Sequence, residues 1–506
     1  MTLVRRIGVL LALVCVWLTA SAHLGNTLVV QEGTAGPYGL RVLVRPPAVI
    51  PGLVDVVIRS TTPNAVPTSI TLQPALWRYG TKGAPAAEAA TPVPGEPGTF
   101  QTQVWIMSSG SYALHVGARG PSGSGTFIVP YTSVATATLG MPNWLGWVLA
   151  VLGGFLVFGL SSVVGAAARE STLPAGTTPE RPRYRRARFA AALGALIACT
   201  LMFGGWTWWN AVERDYRNSL DRPLQVATTV SGGDARRLTM RITDSTWRVA
   251  KPGERIRNSF STPLMPDHGK MMHMFLVAVG ARGSVAHLHP VRTDDRTFTT
   301  PVHGLAAGQY WMFADVVHES GYTRTFVDTV DVPAGVAAPN PDGDDAVAPE
   351  PPTVTVSPAT LSDGARLGIS VDGTPQAARD VVIHARLTGA DGSLASVMPW
   401  LGMSGHAMLV RTDGRVFMHL HPLGTGSTAA QERLQRREAG DTAMHGDAQP
   451  QMDMSTMHAT ALPGDVRFPV AFPSAGTYRV FVQLRRTTGE IVTAALDVSI
   501  PESSAR

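Results

Sequence analysis

The sequence is short of cysteine. It holds two in 506 residues, Cys15 and Cys199, and both lie in apolar runs. A disulfide framework and a thiolate metal site in the polar parts of the chain are therefore excluded. Charge is sparse as well. Asp, Glu, Lys and Arg make up 16% of residues and hydrophobic residues 44%, whereas about a quarter of a typical soluble domain is charged. That balance fits a chain with membrane segments better than a cytosolic enzyme. The net charge of +5 is not spread as a nucleic-acid footprint would be. Most of it comes from residues 169–188, where Arg169, Arg181, Arg183, Arg185, Arg186 and Arg188 face only Glu170 and Glu180. A basic stretch between apolar runs is a topology signal, and no nucleic-acid partner is expected.

Two runs lack ionisable residues altogether, Trp144–Ala168 and Phe189–Trp209. Each has the ~20 apolar residues that a spanning helix needs. The positive-inside rule places the loop 169–188 in the cytoplasm. Trp144 and Trp147 at one end, with Trp206, Trp208 and Trp209 at the other, then fall at the opposite interface. Small residues spaced i, i+4 (Ser161/Gly165, Ala190/Gly194, Ala195/Cys199) allow close helix contact. Without an ionisable group a conducting path is not expected, so the hairpin reads as an anchor in lipid. At the N-terminus, Arg5 and Arg6, the run Ile7–Leu18 and Thr19-Ala20-Ser21-Ala22 have the form of a signal peptide over 1–22; an uncleaved anchor is the alternative. The expected location is a bacterial inner membrane, with two spans and the N- and C-terminal domains periplasmic.

Glycine and proline are plentiful, at 51 and 38, and they punctuate short runs that alternate apolar and polar residues, as in Leu40-Arg41-Val42-Leu43-Val44-Arg45. Such runs at regular spacing predict sandwiches. The expected fold class is mainly β: three immunoglobulin-like β-sandwich domains, at 23–141, 220–332 and 353–501, plus a two-helix transmembrane hairpin. Residues 333–352, rich in Pro, Ala and Asp, read as a linker.

The last two regions repeat one pattern. Met265-Pro266-Asp267-His268-Gly269, followed by His273 and Leu276-Val277, parallels Met398-Pro399-Trp400-Leu401-Gly402, followed by His406 and Leu409-Val410. Ala286-His287-Leu288-His289-Pro290 parallels Met418-His419-Leu420-His421-Pro422, and Ala307-Gly308-Gln309-Tyr310 parallels Ala475-Gly476-Thr477-Tyr478. The second copy carries an insertion, mostly 431–460, polar and expected to be mobile. Residues i and i+2 of a strand share a face, so His287 pairs with His289 and His419 with His421. A turn near 280–284 brings His273 opposite His289, and one near 412–414 brings His406 opposite His419 or His421. Opposed Cβ atoms lie about 5 Å apart, near enough for imidazoles to share a metal ion.

The metal ligands expected are His273, His287, His289 and His318 in one site and His406, His419 and His421 in another. His268 and Glu319 are further candidates beside the first. In the insertion, His445, Met452, Met454, Met457 and His458 form a soft capture arm. His23, N-terminal after cleavage, could bind copper with His115. Mixed imidazole and thioether ligands favour copper, with zinc the alternative. The plain competing reading is that His-x-His-Pro is a packing motif whose proline ends a strand; Met271, Met272, Met274 and Met408 read as core residues.

The stretch AGPYGLRVLVRPPAVIPG, the two-span hairpin, PDHGKMMHMFLV, AHLHP and ADVVHESG, then MSGHAMLV and HLHP, together resemble a family of bacterial membrane-anchored envelope proteins. The sandwiches resemble more loosely the immunoglobulin-like domains of periplasmic copper-resistance proteins. That second likeness implies copper binding without catalysis. The function expected is periplasmic metal handling, not an enzyme. The alternatives are an envelope scaffold that binds a protein partner through strand edges, and a metal-dependent enzyme with Glu319 as general base.

Overall fold

The computed structural model describes residues 28–502, apart from 175, 233–235, 252–253, 255, 257, 281–282, 336–342, 356 and 447–459. The signal-peptide region, His23, Met452, Met454, Met457 and His458 lie outside the described residues. The chain divides into two compact units. One, built from the residues up to 134 and from 222 onward, is almost entirely β; the other, 135–221, holds the two apolar helices.

The β unit contains three sandwiches. In the first, one sheet runs in the order 29–35, 38–45, 52–60, 99–106, 91–92, and the other in the order 88–89, 69–76, 110–120, 123–133. Tyr38, Leu40, Val42 and Val44 point into its core, as their alternation predicts. Leu43 breaks the alternation yet is buried, because it packs with Val30 against Ala471 of the third sandwich. The second and third sandwiches share one plan. The strands His273–Ala278 and Gly308–His318 of the second correspond to His406–Arg411 and Gly476–Arg486 of the third. A signature not read from the sequence joins all three. Tyr112, Tyr310 and Tyr478 each follow Gly-x, and each hydroxyl donates to the carbonyl four residues earlier, at 3.1, 2.9 and 2.9 Å. A tyrosine tied back in this way marks the corner of immunoglobulin-like sandwiches.

The second and third sandwiches meet sheet to sheet. Phe313 stacks on Phe417 with centroids 4.4 Å apart, and Phe275, Met408 and Phe481 complete a buried apolar seam. Each such side chain removed from water contributes about 1.5–3 kcal/mol. Residues 333–352 are more than a linker: Ala346–Ala348 adds an antiparallel strand beside Val285–Leu288. The start of the insertion is ordered too. Ser427 caps the helix Thr428–Glu438 by accepting from Ala430 N at 3.1 Å, and Leu434 packs on Trp77 of the first sandwich.

In the helical unit, Asn143–Glu170 and Arg181–Asn218 are long and apolar enough to cross a membrane. The second helix begins at Arg181, so most of the arginine-rich stretch is helical and the connection shortens to 171–180. The helices touch at glycine. A Cβ on Gly165 would lie 3.1 Å from that of Ala191, and one on Gly194 would lie 3.7 Å from Ser161 Cα. Cys199, expected at the contact, is instead exposed.

Candidate metal centre

The repeat places its histidines by register. Met274 pairs with Leu288, so His273 stands opposite His289; Ala407 pairs with Leu420, so His406 stands opposite His421. Within each copy the three imidazoles share one face of the sheet. The two faces then meet. Ring centroids of His273 and His419, from different copies, are 5.3 Å apart, and those of His287 and His406 are 5.5 Å apart. The two expected sites are thus one cluster, to which His268 also belongs, 5.1 Å from His421. One nitrogen from each of His273, His287 and His419 lies within 4.8 Å of the others, and the same holds for His406, His419 and His421.

The two copies orient their first histidine alike. His273 Nε2 lies 3.1 Å from the carbonyl of Asp267, and His406 Nε2 lies 3.2 Å from that of Trp400. A carbonyl only accepts, so Nε2 carries the proton and Nδ1 keeps its lone pair. Asp267 and Trp400 occupy equivalent places at the start of one turn, whose next residues, His268 and Leu401, have φ of 52° and 51°. That conformation is uncommon outside glycine, and here it turns the carbonyl toward the ring. The freed Nδ1 atoms face the next imidazole: His273 Nδ1 is 3.0 Å from His287 Nε2, and His406 Nδ1 is 3.4 Å from His419 Nε2. Two nitrogens bound to one tetrahedral ion at about 2.0 Å would be about 3.3 Å apart.

A carboxylate holds a further ring from behind. Asp345 Oδ1 accepts from both the backbone N and Nδ1 of His289, each at 2.9 Å. Asp315 Oδ2 lies near His419 Nδ1 at 3.8 Å, too far for a hydrogen bond. A ligand imidazole is usually fixed through its other nitrogen by a carbonyl or carboxylate. Asp345 was hidden from sequence reading in the supposed linker; the paired aspartates 344 and 345 among prolines were the available signal. Buried nitrogens without a hydrogen bond remain at His268 Nε2, His287 Nδ1, His289 Nε2 and both positions of His421. Gln483 Oε1, which lies against His287, is also unmatched. A cavity of about 30 Å³ opens beside His273, His419 and His421, roughly the room one water takes in the liquid.

Burial pushes the imidazoles toward the neutral, ligand-competent form. It holds His273 down to about 4 and His287, His289, His406 and His419 well below the usual histidine range, with neighbouring rings adding to the effect. Burial likewise lowers His421 and raises the Asp315 carboxyl to about 7.

Residues 224–334 and 359–502 match a family described as a domain of unknown function (DUF8832). The chain belongs to that family. The two matched stretches coincide with the second and third sandwiches, so all seven imidazoles of the cluster lie within the family's own residues, while Asp345 falls between the stretches. None of the curated proteins compared with the chain matches it. Solved structures similar to it include a tetra-tandem repeat from the extending region of a large adhesion protein, at 9% identity over 94% of this chain and 83% of that one, with a TM-score of 0.15. A 1.5-MDa bacterial ice-binding adhesin is similar at 8% identity over 94% and 99%, with a TM-score of 0.14. The fibronectin(III)-like modules of Clostridium thermocellum CbhA are similar at 9% identity over 56% and 97%, with a TM-score of 0.12.

Several expected ligands lie away from the cluster. His318 is buried between Trp247 and Tyr322, with Nδ1 2.7 Å from Thr262 O, because the strand Gly308–His318 carries it past the cluster. Glu319 accepts from the backbone N of His445, at 2.7 Å, and of Gly446, and lies 3.6 Å from Arg433. Its carboxylate is thus engaged by the insertion. His445 Nε2 sits 3.3 Å from Asp441. His115 Nε2 is 3.3 Å from Glu438 on the insertion helix. The methionines Met272, Met274 and Met408 are in the core.

Proposed function

We propose that this protein is a membrane-anchored metal handler that binds a transition-metal ion, copper first and zinc second, in the cluster formed jointly by its two repeats. The observation that carries the reading is the matched pair His273 and His406. Each is pinned through Nε2 to a carbonyl and each offers Nδ1 toward a second imidazole at a spacing near that of two ligands on one ion. Dense neutral imidazoles with unmatched nitrogens suit copper(II) or zinc, and nitrogen sites generally favour copper(II) over zinc. Among the described residues no thiolate contributes, which suits an oxidising compartment. The arginines at the connection between the helices support a cytoplasmic position for that end and a periplasmic one for the β unit, in a bacterial inner membrane.

A second reading, a scaffold with a structural histidine core, is favoured by the hydrogen-bond spacing of His273 and His287. Metal uptake separates the two. The full chain, purified in detergent and stripped with a chelator, is titrated with Cu(II) and with Zn(II). At less than one Cu(II) per chain, bound Cu(II) is expected to show nitrogen hyperfine structure in its EPR spectrum, and His419→Ala, which strikes both triads, is expected to lose that signal. Uptake of neither ion, or an unchanged spectrum in His419→Ala, overturns the metal reading and leaves the scaffold.

A further inference from the structure

Seven imidazoles are more than one ion can use. A tetrahedral ion takes four nitrogens, and a single ion in the cluster would leave three buried rings idle. The rings group instead as two sets in contact with each other, His287 lying 5.5 Å from His406 and His268 6.2 Å from His273. His289 lies beside His273 and His287, with centroids 5.1 and 4.7 Å away, and its Nε2 is buried and unmatched. His268 lies beside His421 and His406, at 5.1 and 6.1 Å, and its Nε2 is buried, makes no hydrogen bond and lies 3.3 Å from Asp267 Oδ1. His419 stands between the sets, 5.3 Å from His273, 5.5 Å from His287, 5.6 Å from His406 and 4.3 Å from His421.

We propose, on the basis of the metal reading above, that the cluster is a two-ion site: His273, His287 and His289 hold one ion, His268, His406 and His421 hold the other, and His419, releasing its ring proton to solvent, bridges them as an imidazolate through Nδ1 and Nε2. Two carboxylates supply charge for a pair of cations. Asp345 touches His289 at 2.9 Å, and Asp267 lies 3.3 Å from His268. Two dications would be hard to bring together among neutral rings alone, since like charges at short range in a buried site repel strongly; anionic groups on two sides offset that repulsion. The two halves also differ in a way a single symmetric site would not need. His268 has Leu401 as its counterpart in the second copy, so the repeat supplies four histidines from one half and three from the other.

The test uses the full chain in detergent, loaded with Cu(II) and washed. Copper per chain is measured for the wild type and for the variant His273→Ala/His406→Ala/His419→Ala, so that ions held elsewhere cancel in the difference. The expected difference is two. The wild-type EPR spectrum, which needs no variant, is expected to be broadened or attenuated by coupling between neighbouring copper ions. His287→Ala and His421→Ala are each expected to keep one ion with a sharp, uncoupled spectrum. A difference of one with an uncoupled wild-type spectrum overturns the two-ion proposal while leaving metal binding intact. Loss of all cluster copper in both single variants, with their melting profiles retained, does the same. A difference of zero overturns the metal reading itself.

Discussion

His273 and His406 point their free nitrogens inward because a backbone carbonyl takes the proton on the opposite edge of each ring. A side chain does the same for His289, which gives a direct test. Asp345→Asn keeps the shape but weakens the hold on Nδ1, and it is expected to reduce Cu(II) affinity by about 10–100-fold, read by competition with a chromophoric chelator. Unchanged affinity would show that His289 is not a ligand. Arg433 poses a separate question. It is fully buried and 3.6 Å from the equally buried Glu319. Arg433→Leu strands that carboxylate and is expected to cost about 3–5 kcal/mol, seen as a lower melting temperature. Glu319→Gln is expected to leave Cu(II) affinity unaltered, since its carboxylate serves the insertion.

At the scale of strands and helices, much was legible in advance. Short alternating runs between turns located six strands of the first sandwich but not Val29–Ala35 or the short pieces at 88–89 and 91–92, and the spacing of His273, His287 and His289 fixed which would stand opposite which, since a hairpin's register follows from its turn. Two things were not legible. One is that the faces of the two copies meet: nothing in the local pattern of Phe275, Phe313 or Phe417 says which sheet each apolar face will cover. The other is the work of segments with no periodicity. The prolines around Asp345 read as linker, though three residues there complete a sheet edge. The polar stretch from Gln431 read as mobile, though its described start continues a helix that Ser427 caps and that Leu434, Arg437 and Glu438 dock on the first sandwich. Leu434→Ala is therefore expected to cost about 2–5 kcal/mol, measured by denaturant unfolding; no change would mean that the helix docks by polar contacts alone. In the hairpin, Gly165→Leu is expected to push the helices apart and to lower thermal stability in detergent by about 1–3 kcal/mol.

For the whole molecule, burial of neutral histidines makes stability depend on pH. His273 and His318 are both held down to about 4 by burial, while an unfolded histidine titrates near 6.5. Between those values the unfolded chain binds protons that the folded chain does not. Stability is therefore greatest above about pH 6.5 and falls as the pH drops toward 4, by about 1.4 kcal/mol per pH unit for each such group. Melting temperatures of the metal-free chain between pH 7.5 and 4.5 check this; a flat or rising profile toward acid would contradict it.

The first sandwich is not a separate bead on the chain. Glu32 N donates to Leu423 O at 2.6 Å and Thr425 N to Val30 O at 2.8 Å, just beyond His421, and Arg41 and Arg59 both reach Asp380. These contacts join a stretch that precedes the apolar hairpin to one that follows it. Backbone groups that share hydrogen bonds cannot be parted by a bilayer, so helices that span one must return the chain to the side it left. A count of crossings between residues 134 and 222 that came out odd would be incompatible with this body of sandwiches, whatever the sequence rules of topology had favoured.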